Sequence, residues 1–153
     1  MMRIDDKHLG KIVDFQFIAD GLIRGKLLRI GTVAALGEMY KDHDKVDHRT
    51  RMTNYTAAME KLAKTYPKDD EAQIAFALAL SVTAPPHDKT YAYQLKGAAI
   101  LEPIFKRQPR HPGVAHYLIH LYDYPPIAEK GIDAARRYAE IAPAAPHALH
   151  MPS

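Results

Sequence analysis

From about residue 31 onward, apolar and polar positions alternate with the period of a helix rather than that of a strand. Segments that contain proline separate these stretches, because proline lacks the N–H group that a helix interior needs. The pattern predicts an all-α fold. We expect helices at residues 31–42, 47–65, 70–82, 89–107, 112–123 and 127–142.

The first thirty residues carry a mixed pattern. Apolar residues alternate between Val13 and Ala19, and Asp20-Gly21 would suit a hairpin turn. A stripe from Ile12 to Ile23 also fits a helix, which we favour because the chain downstream is helical. We therefore treat residues 1–30 as an N-terminal segment and residues 31–153 as a helical repeat domain.

Three proline junctions indicate an internal repeat. Pro67, Pro109 and Pro143 lie 42 and 34 residues apart, and each follows a predicted helix. Three residues after each of them comes a residue suited to opening the next helix, namely Asp70, Pro112 and Pro146. About three helical hairpins follow from this order, and the extra residues of the longer period fall in the loop at 83–88.

A period of 34 residues with two helices per unit is typical of tetratricopeptide (TPR) repeats. Residues 132–143, with their small side chains and closing proline, resemble the second helix of such a repeat. Residues 55–67 and 93–109 resemble the same half. The early Trp and Leu-Gly of the TPR pattern are not matched, so the repeats are degenerate. This resemblance implies a right-handed helical solenoid.

Two segments narrow the resemblance. Residues 111–120 (HPGVAHYLIH) and 146–153 (PHALHMPS) resemble a family of bacterial TPR-containing proteins, which the chain matches over about residues 32–153. The family implies a histidine-rich face and no particular reaction. In those relatives the last segment continues into further repeats. We therefore expect a truncated member, or an end at Ala148, Leu149 and Met151 that a partner or a second copy covers.

Histidine is the unusual residue type, with nine in the chain. On the helix predicted at 112–123, His116, His120 and Asp123 stand at i, i+4 and i+7, opposite the apolar face. Their side chains can therefore converge. Two imidazoles one turn apart are a geometry that binds metal ions, and the carboxylate could add a third ligand.

The repeat adds histidines to this face. His150 follows Pro143 by seven residues, as His116 follows Pro109, so the two occupy equivalent positions in successive first helices. In a TPR solenoid these helices line the concave surface side by side. The sequence therefore predicts a ligand-binding groove lined by His116, His120, Asp123, Tyr124, His147 and His150.

Two functions from different classes fit this groove. The favoured one is a protein-interaction module that binds a peptide or protein partner. The alternative is a zinc-binding protein or metal-dependent hydrolase that uses His116, His120 and His150. A third interpretation is that these histidines are hydrogen-bonded to neighbouring residues and have only a structural role. Tyr117 stands where the zincin motif has glutamate, which excludes that class of metalloprotease.

Composition excludes further classes. The chain has no cysteine, so disulfides, thiol nucleophiles and cysteine-ligated metals are absent. The net charge of +3 comes without a basic stripe, which argues against nucleic-acid binding. Five charged residues interrupt the apolar stretch at 12–30, and no signal peptide precedes it. We expect a soluble cytoplasmic chain without a membrane partner.

One further run of residues could bind a cation. Residues 42–48 (Asp-His-Asp-Lys-Val-Asp-His) collect five acids and histidines in seven positions. Such a run is more often a solvated loop that opens a helix. We favour that interpretation here, because the predicted helix at 47–65 begins at its end.

Overall fold

The computed structural model describes residues 26–141, 143, 144, 146 and 150, and these residues form helices and connecting loops without a strand. The predicted all-α class is therefore confirmed for them, and the prediction for residues 1–25 lies outside the described chain. None of the described helices is long and apolar enough to cross a membrane. The elements are α1 (Lys26–Tyr40), α2 (His48–Thr65), α3 (Asp70–Thr83), α4 (Ala92–Arg107), α5 (Pro112–Tyr122), a 3₁₀ turn (Ala128–Gly131) and α6 (Ile132–Ile141).

Three element starts differ from the prediction. Helix α1 begins at Lys26, so it crosses the boundary that the sequence suggested at residue 30. Helix α4 begins at Ala92 rather than at residue 89, because the Asp88 carboxylate accepts hydrogen bonds from both the N–H and the hydroxyl of Thr90. Tyr91 then takes a left-handed conformation, with φ of 55°, just before the helix. The segment predicted as a helix from residue 127 opens with the 3₁₀ turn.

The two complete proline junctions share one backbone geometry. Helices α2 and α4 each end two residues before a proline, Pro67 and Pro109. The residue after each helix has nearly the same dihedral angles, φ −121° and ψ 65° at Tyr66 and φ −127° and ψ 64° at Gln108. Each of these residues donates its N–H to the carbonyl oxygen four residues earlier. The two proline junctions thus share one local backbone geometry.

The next helix is opened by a side chain at both junctions. Asp69 Oδ1 accepts the N–H of Ala72 at 3.1 Å, and His111 Nδ1 accepts the N–H of Val114 at 3.2 Å. Each cap satisfies one of the backbone donors that the first turn leaves without an intrahelical partner. The caps lie two residues after the proline, one position before the helix-opening residues that the sequence indicated.

Each helix packs against the next one along the chain, and α3 also contacts α5. Helix α3 lies between the two parts of the core. Its Phe76 and Leu80 pack with α1 and α2, whereas Ile74 and Ala77 pack with α4, α5 and α6. Helix α3 therefore joins the two parts into one continuous apolar interior.

Helix α5 buries the face that its periodicity predicted. Tyr117 of the same helix is only partly buried. This arrangement leaves the histidine-bearing side of α5 toward the surface. The buried residues are Val114, Ala115, Leu118, Ile119, Leu121 and Tyr122.

Two glycines give opposite predictions for replacement by alanine. At Gly97 on α4, a Cβ atom would lie 2.9 Å from Cδ2 of the fully buried Leu121 and 3.3 Å from the carbonyl oxygen of Ala77. We expect Gly97→Ala to lower the free energy of unfolding by about 1–3 kcal/mol, because close packing there cannot admit the methyl group. At the exposed Gly37 on α1, no atom lies within 4 Å of such a Cβ. Gly37→Ala should raise the free energy of unfolding by about 0.5–1 kcal/mol through helix propensity.

Urea unfolding followed by circular dichroism measures both changes. Gly37→Ala serves as the matched control, because it makes the same chemical change where no neighbour opposes it. A Gly97→Ala protein at least as stable as the unaltered chain would contradict the close approach of α3, α4 and α5.

Candidate functional site

Helix α5 brings His116 and His120 together. The two residues lie one turn apart, with His116 half-buried and His120 exposed. Their Nε2 atoms are 2.8 Å apart, and the ring centroids are 4.7 Å apart. This distance is that of a hydrogen bond between two imidazoles. The i, i+4 spacing in the sequence therefore produces the convergence that it indicated.

Tyr138 of α6 is the second partner of His116. Its hydroxyl oxygen lies 3.2 Å from Nδ1 of His116, and the two rings lie 5.1 Å apart. The Tyr138 side chain is buried, so the packing of α6 fixes its position. Sequence reasoning missed this contact, because nothing local shows that a residue 22 positions away reaches this histidine.

The three side chains form a directional hydrogen-bond chain. A neutral imidazole has one donor nitrogen and one acceptor nitrogen. In one direction, Tyr138 donates to His116 Nδ1 and His116 donates from Nε2 to His120. In the other, His120 donates from Nε2 to His116, which donates from Nδ1 to the oxygen of Tyr138. Either arrangement leaves one proton between the two Nε2 atoms.

Tyr117 extends this site toward α3. Its ring centroid lies 5.6 Å from that of His116. Burial raises the pKa of the Tyr117 hydroxyl, and the charges of Glu71 on α3 and of Tyr138 on α6 raise it further. Burial also raises the pKa of Tyr55 on α2, and the interaction with Tyr117 adds to that rise. The site thus combines groups from neighbouring helices.

His111 ties the start of α5 to the start of α3. Its Nδ1 accepts the Val114 N–H, so Nε2 carries the ring proton of the neutral form and donates to Glu71 Oε1 at 3.2 Å. Acidic residues at the start of a helix are already favoured by the helix dipole. The structure adds contacts between elements, since Asp70 also accepts hydrogen bonds from Arg107 at 2.5 Å and Gln108 at 2.6 Å.

Asp123 does not continue the histidine stripe. It is the C-cap of α5 and is exposed, so the predicted stacking at i+7 stops where the helix ends. Tyr124, the next residue, is half-buried, and its ring lies 5.2 Å from that of Tyr91. The assignment of these two residues to the ligand-binding groove stays a prediction.

The predicted three-histidine zinc site stays a prediction. His150 is exposed, and His147 lies outside the described residues, as do Ala148, Leu149 and Met151 of the predicted interaction end. Across the described part of the chain, no group of three or more His, Asp or Glu side chains is placed to hold a metal ion.

The run of acids and histidines at 42–48 opens a helix. Asp47 is the N-cap of α2, where Oδ1 accepts the Thr50 N–H at 3.0 Å and Oδ2 accepts its hydroxyl at 2.6 Å. The side-chain hydrogen bond from Thr50 lowers the pKa of this carboxyl group. These contacts favour the helix-opening interpretation of the run.

Sequence reasoning missed a groove between α2, α3 and α4. It encloses about 420 Å³, and its lining includes Phe76 and Leu80 of α3. The Lys96 ammonium group lies 5.2 Å above the Phe76 ring and 3.3 Å from Glu60 Oε1. A polar stripe on α2, spaced four, three and four residues apart, could have indicated it. That stripe consists of Arg49, Thr53, Thr56 and Glu60.

Comparisons of this chain with known proteins found no match. No protein-family model, no curated protein and no solved structure matches it. The TPR resemblance therefore stays a prediction, and the side chains described above are the observations that bear on function.

Ionisation of Tyr117 links pH to stability. Because its pKa is raised in the folded chain, the unfolded chain loses this proton first as the pH rises. Neutral Tyr117 therefore contributes stability that is complete below the unfolded pKa of about 10 and is lost as the pH rises through the folded pKa. We expect the free energy of unfolding to fall between about pH 9 and pH 11 in the unaltered chain. The fall should be smaller in the Tyr117→Phe variant.

Urea unfolding at each pH measures this difference. Tyr40→Phe is the matched control, because Tyr40 is 70% exposed on α1. This variant should keep the pH profile of the unaltered chain. Identical profiles for Tyr117→Phe and the unaltered chain would contradict the burial of a neutral phenol at this position.

Proposed function

We propose that the chain is a TPR-like solenoid of helical hairpins that acts as a protein-interaction module. Its hairpins are α1 with α2, α3 with α4, and α5 with α6. The matching geometry at Pro67 and Pro109 supports a structural repeat. The contact between α3 and α5 also supports it, because first helices of adjacent TPR hairpins lie side by side.

The proposed binding surface is the face that α3 and α5 share. One observation carries this choice: α5 contacts both neighbours through polar groups, since His111 bonds to Glu71 of α3 and His116 bonds to Tyr138 of α6 and lies beside Tyr117. The same side of α5 presents the exposed His120. On α3 the stripe that begins at Glu71 continues at helical spacing to Val82, which is 53% exposed.

This surface suits a peptide segment of mixed character. Aromatic rings give contact area at a small cost in side-chain entropy, and imidazole and carboxylate groups supply hydrogen bonds that fix orientation. A solenoid offers such a surface as an extended strip rather than as an enclosed pocket. Binding therefore fits the arrangement better than catalysis does.

Selection from a phage library of random dodecapeptides tests the proposal. Peptides that bind the purified chain would be synthesised, and their dissociation constants measured by fluorescence polarisation. We expect His120→Ala, combined with Tyr117→Ala, to weaken binding at least tenfold, because both side chains lie on the proposed surface. Failure to select any saturable binder would contradict the interaction function.

The groove between α2, α3 and α4 supplies the matched control. Tyr93 and Lys96 line that groove and are exposed, so Tyr93→Ala combined with Lys96→Ala changes a comparable area elsewhere. This double variant should bind the selected peptides as the unaltered chain does. If it loses binding while the α5 variant keeps it, the peptide site lies in the groove, and the proposed surface is wrong.

A further inference from the structure

The Nε2 atoms of His116 and His120 are close neighbours on α5. They lie 2.8 Å apart, and one turn of α5 holds both rings on the same face. We propose that these two histidines form a binding site for a divalent first-row transition-metal ion, and that Tyr138 positions His116 for it. The inference does not depend on peptide binding.

The proton between the two rings shows how the ion would enter. In the metal-free chain, one Nε2 atom carries that proton and the other accepts it. An ion that takes a lone pair from each Nε2 requires both rings to be neutral and protonated on Nδ1. The shared proton then moves to the Nδ1 atom of its own ring through solvent, so no net proton is released.

Tyr138 supplies the outer partner that metal-binding histidines use. A ligating imidazole almost always donates its other N–H to an oxygen, which fixes the tautomer and the ring orientation. The Tyr138 hydroxyl oxygen lies 3.2 Å from His116 Nδ1, on the side of the ring away from His120. Because the tyrosine is buried by the packing of α6, this acceptor is held in place before any ion binds.

The donor set selects the kind of ion. Imidazole nitrogen suits Zn²⁺, Ni²⁺ and Cu²⁺, whereas Mg²⁺ and Ca²⁺ require oxygen ligands. His120 is exposed, so the remaining coordination positions face solvent and are filled by water. In the described part of the chain no third His, Asp or Glu side chain completes the group. The site is therefore an open one, with coordination positions left for another ligand.

Isothermal titration calorimetry of the full, tag-free, chelator-treated chain with NiCl₂ tests the proposal. We expect about one Ni²⁺ per chain to bind at this site, and His120→Ala to weaken that binding at least tenfold. The matched control is His43→Ala combined with His48→Ala, which removes two exposed histidines from the run at 42–48. This control should keep the affinity of the unaltered chain.

Three results would overturn the assignment. They are the absence of Ni²⁺ binding, an equal loss of affinity in the control variant, and a tenfold loss in His150→Ala. The last would show a three-histidine site instead of a two-histidine one. Circular dichroism of each metal-free variant checks that it is folded, so a loss of affinity reports on the ligands.

Tyr138→Phe tests the positioning residue. Removal of the outer hydrogen-bond partner should weaken Ni²⁺ binding about tenfold while the stoichiometry stays the same. A merely structural tyrosine would change the thermal stability of the metal-free chain and leave the dissociation constant unchanged. That second result would overturn the positioning role. Peptide binding measured with a chelator present separates a failure of this inference from a failure of the interaction function.

Discussion

The fold depends on where α2 and α4 end and how α3 and α5 begin. At Pro67 and at Pro109 the chain leaves the helix with the same backbone geometry, and two residues later a side chain caps the next helix. Proline cannot continue a helix, and a cap fixes the first turn of the next one. Local contacts therefore set the residue at which α3 and α5 begin. Helices that start at equivalent points can then lie side by side, as α3 and α5 do.

The two caps differ in a way that connects the junction to the surface. Asp69 offers a carboxylate, whereas His111 offers an imidazole with a second nitrogen. That nitrogen reaches Glu71 on α3 at 3.2 Å. A carboxylate at position 111 would face Glu71 with a like charge, which is unfavourable. One imidazole thus both caps α5 and connects it to α3.

The sequence predicts what is local and misses what depends on packing. Proline positions and helical periodicity gave the six helices, and the i, i+4 spacing gave the meeting of His116 and His120. The predicted start of α4 is too early, because two hydrogen bonds from Thr90 to the Asp88 carboxylate hold Thr90 outside the helix. The contact between Tyr138 and His116 depends on the distance between helices, and so does the groove beside Phe76. The hydrophobic period of a single helix does not encode that distance.

The hydrogen bond between His116 and His120 contributes little to the stability of the fold. A neutral hydrogen bond contributes about 0.5–1.5 kcal/mol, and less where water competes for the same groups, as it does at the exposed His120. Loss of a buried leucine such as Leu101 costs about 2–5 kcal/mol, so the core of α4 matters far more to folding than His120 does. A purely structural role would therefore leave position 120 almost free to vary. What His120 adds is chemistry at the surface: a ring nitrogen 2.8 Å from that of His116, held there by α5, with His116 in turn contacted by the buried Tyr138.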